Sequence, residues 1–195
     1  AALCSGSREA LLKAIRKGAD INQPYRSSAE QSLAAPVQQA LHLANADCLQ
    51  LLLESGAELP SQEKEQLALL DSAIRSPSAA LPLLTVLLQQ GLDPNIAEGA
   101  AFFCCLENND DNLRLLLLNR LMEHGGNINV HDRYGRSPLR QLLLEEKTEL
   151  VGTLITAGAD LPPNLDELEC SEQIKQFARR KQQDLITRKL LMGLD

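Results

Sequence analysis

The sequence predicts an all-α protein, a solenoid of stacked helix-turn-helix units closed by a C-terminal capping helix, and three observations predict it. Aromatic residues make up only 3% of the chain and Trp is absent, while Leu and Ala recur throughout. A core of small aliphatic side chains on helices follows, not an aromatic-rich β-sandwich. One phrase occurs five times: an apolar run, two polar or small residues, a Gly, and a short apolar-ended segment. Within these runs the apolar residues keep helical spacing, as in Leu49, Leu52 and Leu53 or Leu11, Leu12 and Ile15.

The five copies run Leu11 to Asn22, Leu51 to Leu59, Val86 to Asn95, Leu121 to Asn129 and Leu154 to Leu161. Their glycines, Gly18, Gly56, Gly91, Gly125 and Gly158, are separated by 38, 35, 34 and 33 residues. Each follows a helix and can take the left-handed conformation that satisfies the last carbonyls, so each marks a helix end. One helical pair cannot bury both of its faces, whereas stacked neighbours close a continuous core. The expected units cover about 1–22, 30–60, 63–95, 99–129 and 132–161.

The period of about 33 and the phrase Gly158-Ala159-Asp160 resemble ankyrin repeats, in which a Thr-Pro-Leu-His-x-Ala opening starts the first helix and Gly-Ala-Asp follows the second. Counting 21 residues back from Gly158 lands on Ser137-Pro138-Leu139, preceded by Asp132-Arg133-Tyr134-Gly135-Arg136. The same count from Gly56 lands on Ala35-Pro36-Val37. The string Ala40-Leu41-His42-Leu43-Ala44 resembles the opening more closely but lies too near Gly56 to leave room for two helices and a turn. Ala2-Leu3 and Gly6 fall where the family has its paired small residues and inter-helix Gly, so the chain is expected to begin inside a first helix, with sequence upstream. Ala2, Ala40 and Ala73 fall at equivalent first-helix positions, and Pro36 and Pro138 suit a first helical turn. The two middle units lack Pro at the helix start, and Asn108-Asn109-Asp110-Asp111 replaces the inter-helix Gly turn before a second helix about one turn longer than usual.

Outside the repeats, residues 23–32 form a polar loop longer than its counterparts, either a flexible insertion or an extended finger, and Arg75 to Ser78 reads as a helix-to-helix turn. Pro162-Pro163 stops any helix, and 162–195 is expected to form a helical cap. Its long helix, Gln173 to Leu191, places Ile174, Phe177, Ala178, Leu185, Ile186 and Leu190 on one side, either to cover the last repeat or to meet a partner.

Composition narrows function. With 195 residues and 44% hydrophobic content the chain can bury a core, and a formal charge of -7 opposes nucleic-acid phosphates. The apolar runs are far shorter than the roughly 20 residues that span a bilayer, and no signal peptide opens the chain, so membrane contact is not expected and a cytoplasmic or other intracellular setting is. Cys4, Cys48, Cys104, Cys105 and Cys170 lack zinc-site or disulfide spacing and read as buried thiols. His124 suits a helix C-terminus, His131 a loop and His42 a helix surface. The acid pairs Glu145-Glu146 and Asp110-Asp111 read as hydrated turns, and Arg179-Arg180-Lys181 with Arg188-Lys189 as a solvated face or a contact for an acidic protein or anionic headgroup. No catalytic residues, metal ligands, cofactor motif or enzymatic activity are expected.

The resemblance implies protein binding by a scaffold or adaptor that is monomeric in isolation, through fingers between repeats and the exposed face of first helices. Carried onto the fifth unit, the contact positions are Arg133, Tyr134, Arg136 and Glu145; onto the second, Gln31 and Gln38. Ile96, Ala97 and Glu98 occupy a shorter finger after Gly91. The alternatives are a targeting or regulatory domain of a larger enzyme, or an effector that an intracellular bacterium delivers to a host cell.

Overall fold

A computed structural model describes residues 3, 6–26 and 33–193, which divide into two compact units, Ala1–Gly125 and Gly126–Asp195. Ala2, Cys4 and Gln31, each assigned a role from sequence, lie outside the described residues.

The first unit carries seven described helices: α1 (Arg8–Arg16), α2 (Pro36–His42), α3 (Ala46–Glu54), α4 (Glu63–Ile74), α5 (Ala80–Gln89), α6 (Ile96–Leu106) and α7 (Asp111–Glu123). Side chains that accept from the orphan N–H groups of a first turn start several of them. Ser7 Oγ accepts from Ala10 N–H at 3.3 Å and Asn45 Oδ1 from Cys48 N–H at 2.9 Å. Asp110 Oδ1 takes the N–H groups of Asn112 and Leu113 at 2.9 and 3.4 Å, while the guanidinium of Arg114 holds the Asn108 carbonyl. The Asn-Asn-Asp-Asp segment thereby builds without glycine the turn that starts α7, and α7, at 13 residues against nine in α3, is one turn longer, as its apolar run implies.

All five ladder glycines sit in the left-handed region, with φ of 84°, 96°, 90°, 85° and 100° in chain order. None has an atom within 4 Å of where a Cβ would stand, so conformation and not space selects glycine there. At Gly56 its own N–H reaches the Leu53 carbonyl at 3.1 Å and the next N–H, of Ala57, reaches back to Leu52 at 2.9 Å. The same paired closure recurs at Gly18, Gly91 and Gly158, and it satisfies carbonyls that the helix end leaves open.

Helix pairs α2–α3, α4–α5 and α6–α7 pack on each other, and the pairs repeat: α1 lies against α3, α3 against α5 and α5 against α7, while α2 lies against α4 and α4 against α6. Second helices make one layer and first helices the other. Between them Leu49, Leu52, Leu70, Leu83, Leu87, Phe102 and Leu117 are fully buried, each contributing about 1.5–3 kcal/mol of apolar burial. Ala40, Ala73 and Ala101 are completely covered, and a side chain no larger than methyl lets the first helices approach. The long polar loop is closed at its base by a two-residue antiparallel ladder, Tyr25 opposite Ala34 and Arg26 opposite Leu33.

Not every turn uses glycine. Ala44, between α2 and α3, has φ of 51°, where an L-residue is disfavoured by roughly 1–2 kcal/mol. Replacing Ala44 with Gly should therefore raise stability by about 0.5–1 kcal/mol, after allowance for glycine's greater unfolded freedom. A urea midpoint unchanged or lowered would show that no strain is stored there.

The second unit holds α8 (Pro138–Leu144), α9 (Thr148–Thr156), a short 3-10 turn (Leu165–Glu167) and α10 (Glu172–Met192). Helix α8 packs on α9, and α9 on α10. Gly152 of α9 marks the closest approach: a Cβ there would stand 3.2 Å from Cζ of Phe177 on α10. Ile174 and Ala178 are buried, whereas Ile186, Leu190, Leu191 and Met192 are 44%, 68%, 84% and 60% exposed. The apolar face is therefore covered over the first half of the helix and open to solvent over the second. The reason is length: α10 has 21 residues, about 31 Å, and α9 nine, about 14 Å, so α10 outruns the helix it covers.

No helix among the described residues is long and apolar enough to cross a membrane.

Candidate protein-binding finger

The loop that carries Tyr134 is fixed from its N-terminal side by an asparagine. Asn129 Nδ2 donates to the carbonyl of Gly158 at 3.1 Å, and its Oδ1 accepts the N–H of Asp160 at 2.8 Å. Asn127 Oδ1 accepts the N–H of Asn129 at 2.9 Å, an Asx turn that orients it. The arrangement repeats in the first unit. Asn22 reaches Gly56 O and Glu58 N–H at 3.5 and 2.8 Å, Asn95 reaches Gly125 O at 3.1 Å, and Asp20 and Asp93 make the matching Asx turns. Each asparagine stands four residues after a ladder glycine and binds the carbonyl of the next one. A reading that stops at the glycines misses these residues, although the recurring Gly-x-x-x-Asn spacing is a signal for them. Pro60 occupies the corresponding place after Gly56, and there the carbonyl of Pro60 itself accepts Gln66 Nε2 at 2.7 Å.

Beyond Asn129 the chain turns on Asp132. Its Oδ1 accepts the N–H groups of Tyr134 and Arg136, both at 2.9 Å, and its Oδ2 meets the Arg136 guanidinium at 2.8 Å through Nε and 2.7 Å at the second nitrogen. The N–H of Gly135 closes on the Asp132 carbonyl at 2.8 Å, and φ of 69° at Gly135 explains the glycine. Partial desolvation pushes the Asp132 carboxyl upward, but the Arg136 guanidinium and the two backbone N–H groups outweigh it, so the group titrates below the ordinary carboxylate range. It stays ionised, and the turn stays locked, until the pH falls through that lowered value.

Tyr134 is the consequence of this frame. Two guanidiniums stand over its ring, Arg133 at 4.8 Å and Arg136 at 5.1 Å from the centroid, and it is 65% exposed. A large apolar ring flanked by cations and held on a hydrogen-bonded turn presents area without many conformations to lose. Beside it opens a cleft of 540 Å³, bounded on its far side by the Pro162-Pro163 turn.

The other predicted contacts are placed differently. Glu145 caps the end of α8, half-buried, and accepts Gln141 Nε2 at 2.9 Å. Gln38 is exposed on α2, where its Oε1 accepts the Ala35 N–H at 3.1 Å and its side chain lines a 440 Å³ hollow with Leu41, His42 and Leu69. Ile96 corrects an expectation. It is only 8% exposed and belongs to the core, so its side chain does not project as part of a finger. Ala97, Glu98 and Gly99 then take left-handed conformations, with the Ala97 N–H on Glu63 Oε1 at 2.7 Å; Glu98 remains exposed.

Of the thiols, Cys48 and Cys105 are fully covered and burial raises both pKa values, while burial and the Asp71 carboxylate push Cys104 up to about 12. These sulfurs are protonated near neutral pH and poor nucleophiles. His124 caps the C-terminus of α7, as its position before Gly125 implies, and His131 is exposed. No protein-family model and no curated protein sequence matches this chain.

Proposed function

We propose that this chain is a divergent ankyrin-type repeat module that binds another protein, with the Arg133-Tyr134-Gly135-Arg136 finger as its contact. The observation that carries the reading is Tyr134, two-thirds exposed with two guanidiniums over its ring, on a turn that Asp132 locks. Tyr and Arg are the residue types that concentrate interface energy, and a preorganised turn loses little entropy on docking. The repeating helix pairs and the glycine ladder support the family assignment. Cys48, Cys104 and Cys105 are held protonated by burial and His124 caps a helix, and the reading gives the chain no catalytic step.

Affinity capture with the full chain, run beside a variant with Arg133, Tyr134 and Arg136 all changed to Ala, tests the proposal. The expected result is a set of proteins held by the wild type and lost by the variant, with unchanged far-ultraviolet circular dichroism. Equal recovery by both would place the binding surface elsewhere.

A further inference from the structure

The cleft beside Tyr134 contains a charge that the fold does not use. Arg136 is occupied by Asp132, but Arg140, half-buried on the first turn of α8, makes no ion pair with a described residue. Its backbone N–H is taken by Ser137 Oγ at 3.2 Å, which leaves the guanidinium as the group with unmet hydrogen-bonding capacity. A guanidinium already partly withdrawn from water gains more from a carboxylate than a fully solvated one does, because less hydration is lost on pairing. Tyr134, Leu161 and Pro163 give the cleft apolar walls.

We propose that this cleft receives an acidic peptide segment of a protein partner, with the Arg140 guanidinium pairing to a carboxylate and Tyr134 and Pro163 packing on the neighbouring aliphatic stem. The proposal rests on the protein-binding reading above and names the chemistry of the partner. Charge complementarity selects the occupant. Within a chain of net charge -7, residues 131–140 carry Arg133, Arg136 and Arg140 against the single acid Asp132. Asp160, also on the cleft wall, is exposed and opposes an incoming carboxylate; His131 lies on the same wall. Arg140 and Asp160 therefore have opposite effects on the same ligand, which gives the test its sign.

The probe is an acetylated, amidated hexaglutamate peptide, titrated at low salt into the 15N-labelled full chain, with hexalysine as control. Amide shifts are expected at Tyr134, Ser137, Arg140 and Asp160 with the acidic peptide only. Arg140→Gln should weaken the peptide about five-fold or more, and Asp160→Asn should strengthen it about two-fold, each with an otherwise unchanged spectrum. Absence of shifts in the cleft, shifts confined to Arg180, Lys181, Arg188 and Lys189 of α10, or an affinity indifferent to Arg140→Gln would each overturn the proposal. Protein capture that needs Tyr134 but survives Arg140→Gln would overturn this assignment and leave the finger reading standing.

Discussion

Replacing Phe102 with Ala is expected to destabilise the first unit by about 3–5 kcal/mol, the loss that follows when a buried aromatic ring is cut back to a methyl group. Phe102 is the bulkiest of the fully buried side chains and lies on α6, which packs against both α4 and α7. Its removal leaves a cavity in a fully buried position, so transfer and cavity contributions add. Since whole domains are stable by only about 5–15 kcal/mol, the variant should lose a large share of its margin. The check is the urea midpoint by circular dichroism, with the same loss expected whether the signal is followed early or late in the transition. A shift below about 1 kcal/mol would mean that α6 is not packed into the layer as described.

Asn129→Ala should cost about 1–3 kcal/mol, because it strips two backbone groups, the Gly158 carbonyl and the Asp160 N–H, of their side-chain partner. The effect should be smaller for Asn22→Ala, since the Asn22 contact to Gly56 is 3.5 Å against 3.1 Å at Asn129 and is more exposed. Urea denaturation of the two variants gives the comparison. Equal and negligible losses would reduce these asparagines from ties between successive turns to surface residues.

The parts of the fold that are legible in the sequence are those governed by local chemistry. The glycine ladder reads correctly because a helix that ends in a left-handed residue has few alternatives to Gly. Helical spacing in the apolar runs marks the second helices, and the count back from a ladder glycine places Pro36 and Pro138 at the starts of α2 and α8. The miss concerns which way a loop side chain turns. Ile96 follows a ladder glycine at the distance expected of a finger, yet nothing local says that it folds inward. At the candidate site the turn residues Asp132 and Gly135 are legible from Asp-x-x-Gly-x, whereas the cations over Tyr134 and the unused Arg140 depend on three-dimensional placement.

The central claim is that a protein partner docks on Tyr134, and the dissociation constant of a captured partner for Tyr134→Ala, against wild type, tests it most directly. An interface anchor of this kind is worth about 2 kcal/mol or more, so the account predicts affinity weaker by about 30-fold with helical content unchanged. Affinity within two-fold of wild type, in a variant that folds normally, would contradict it.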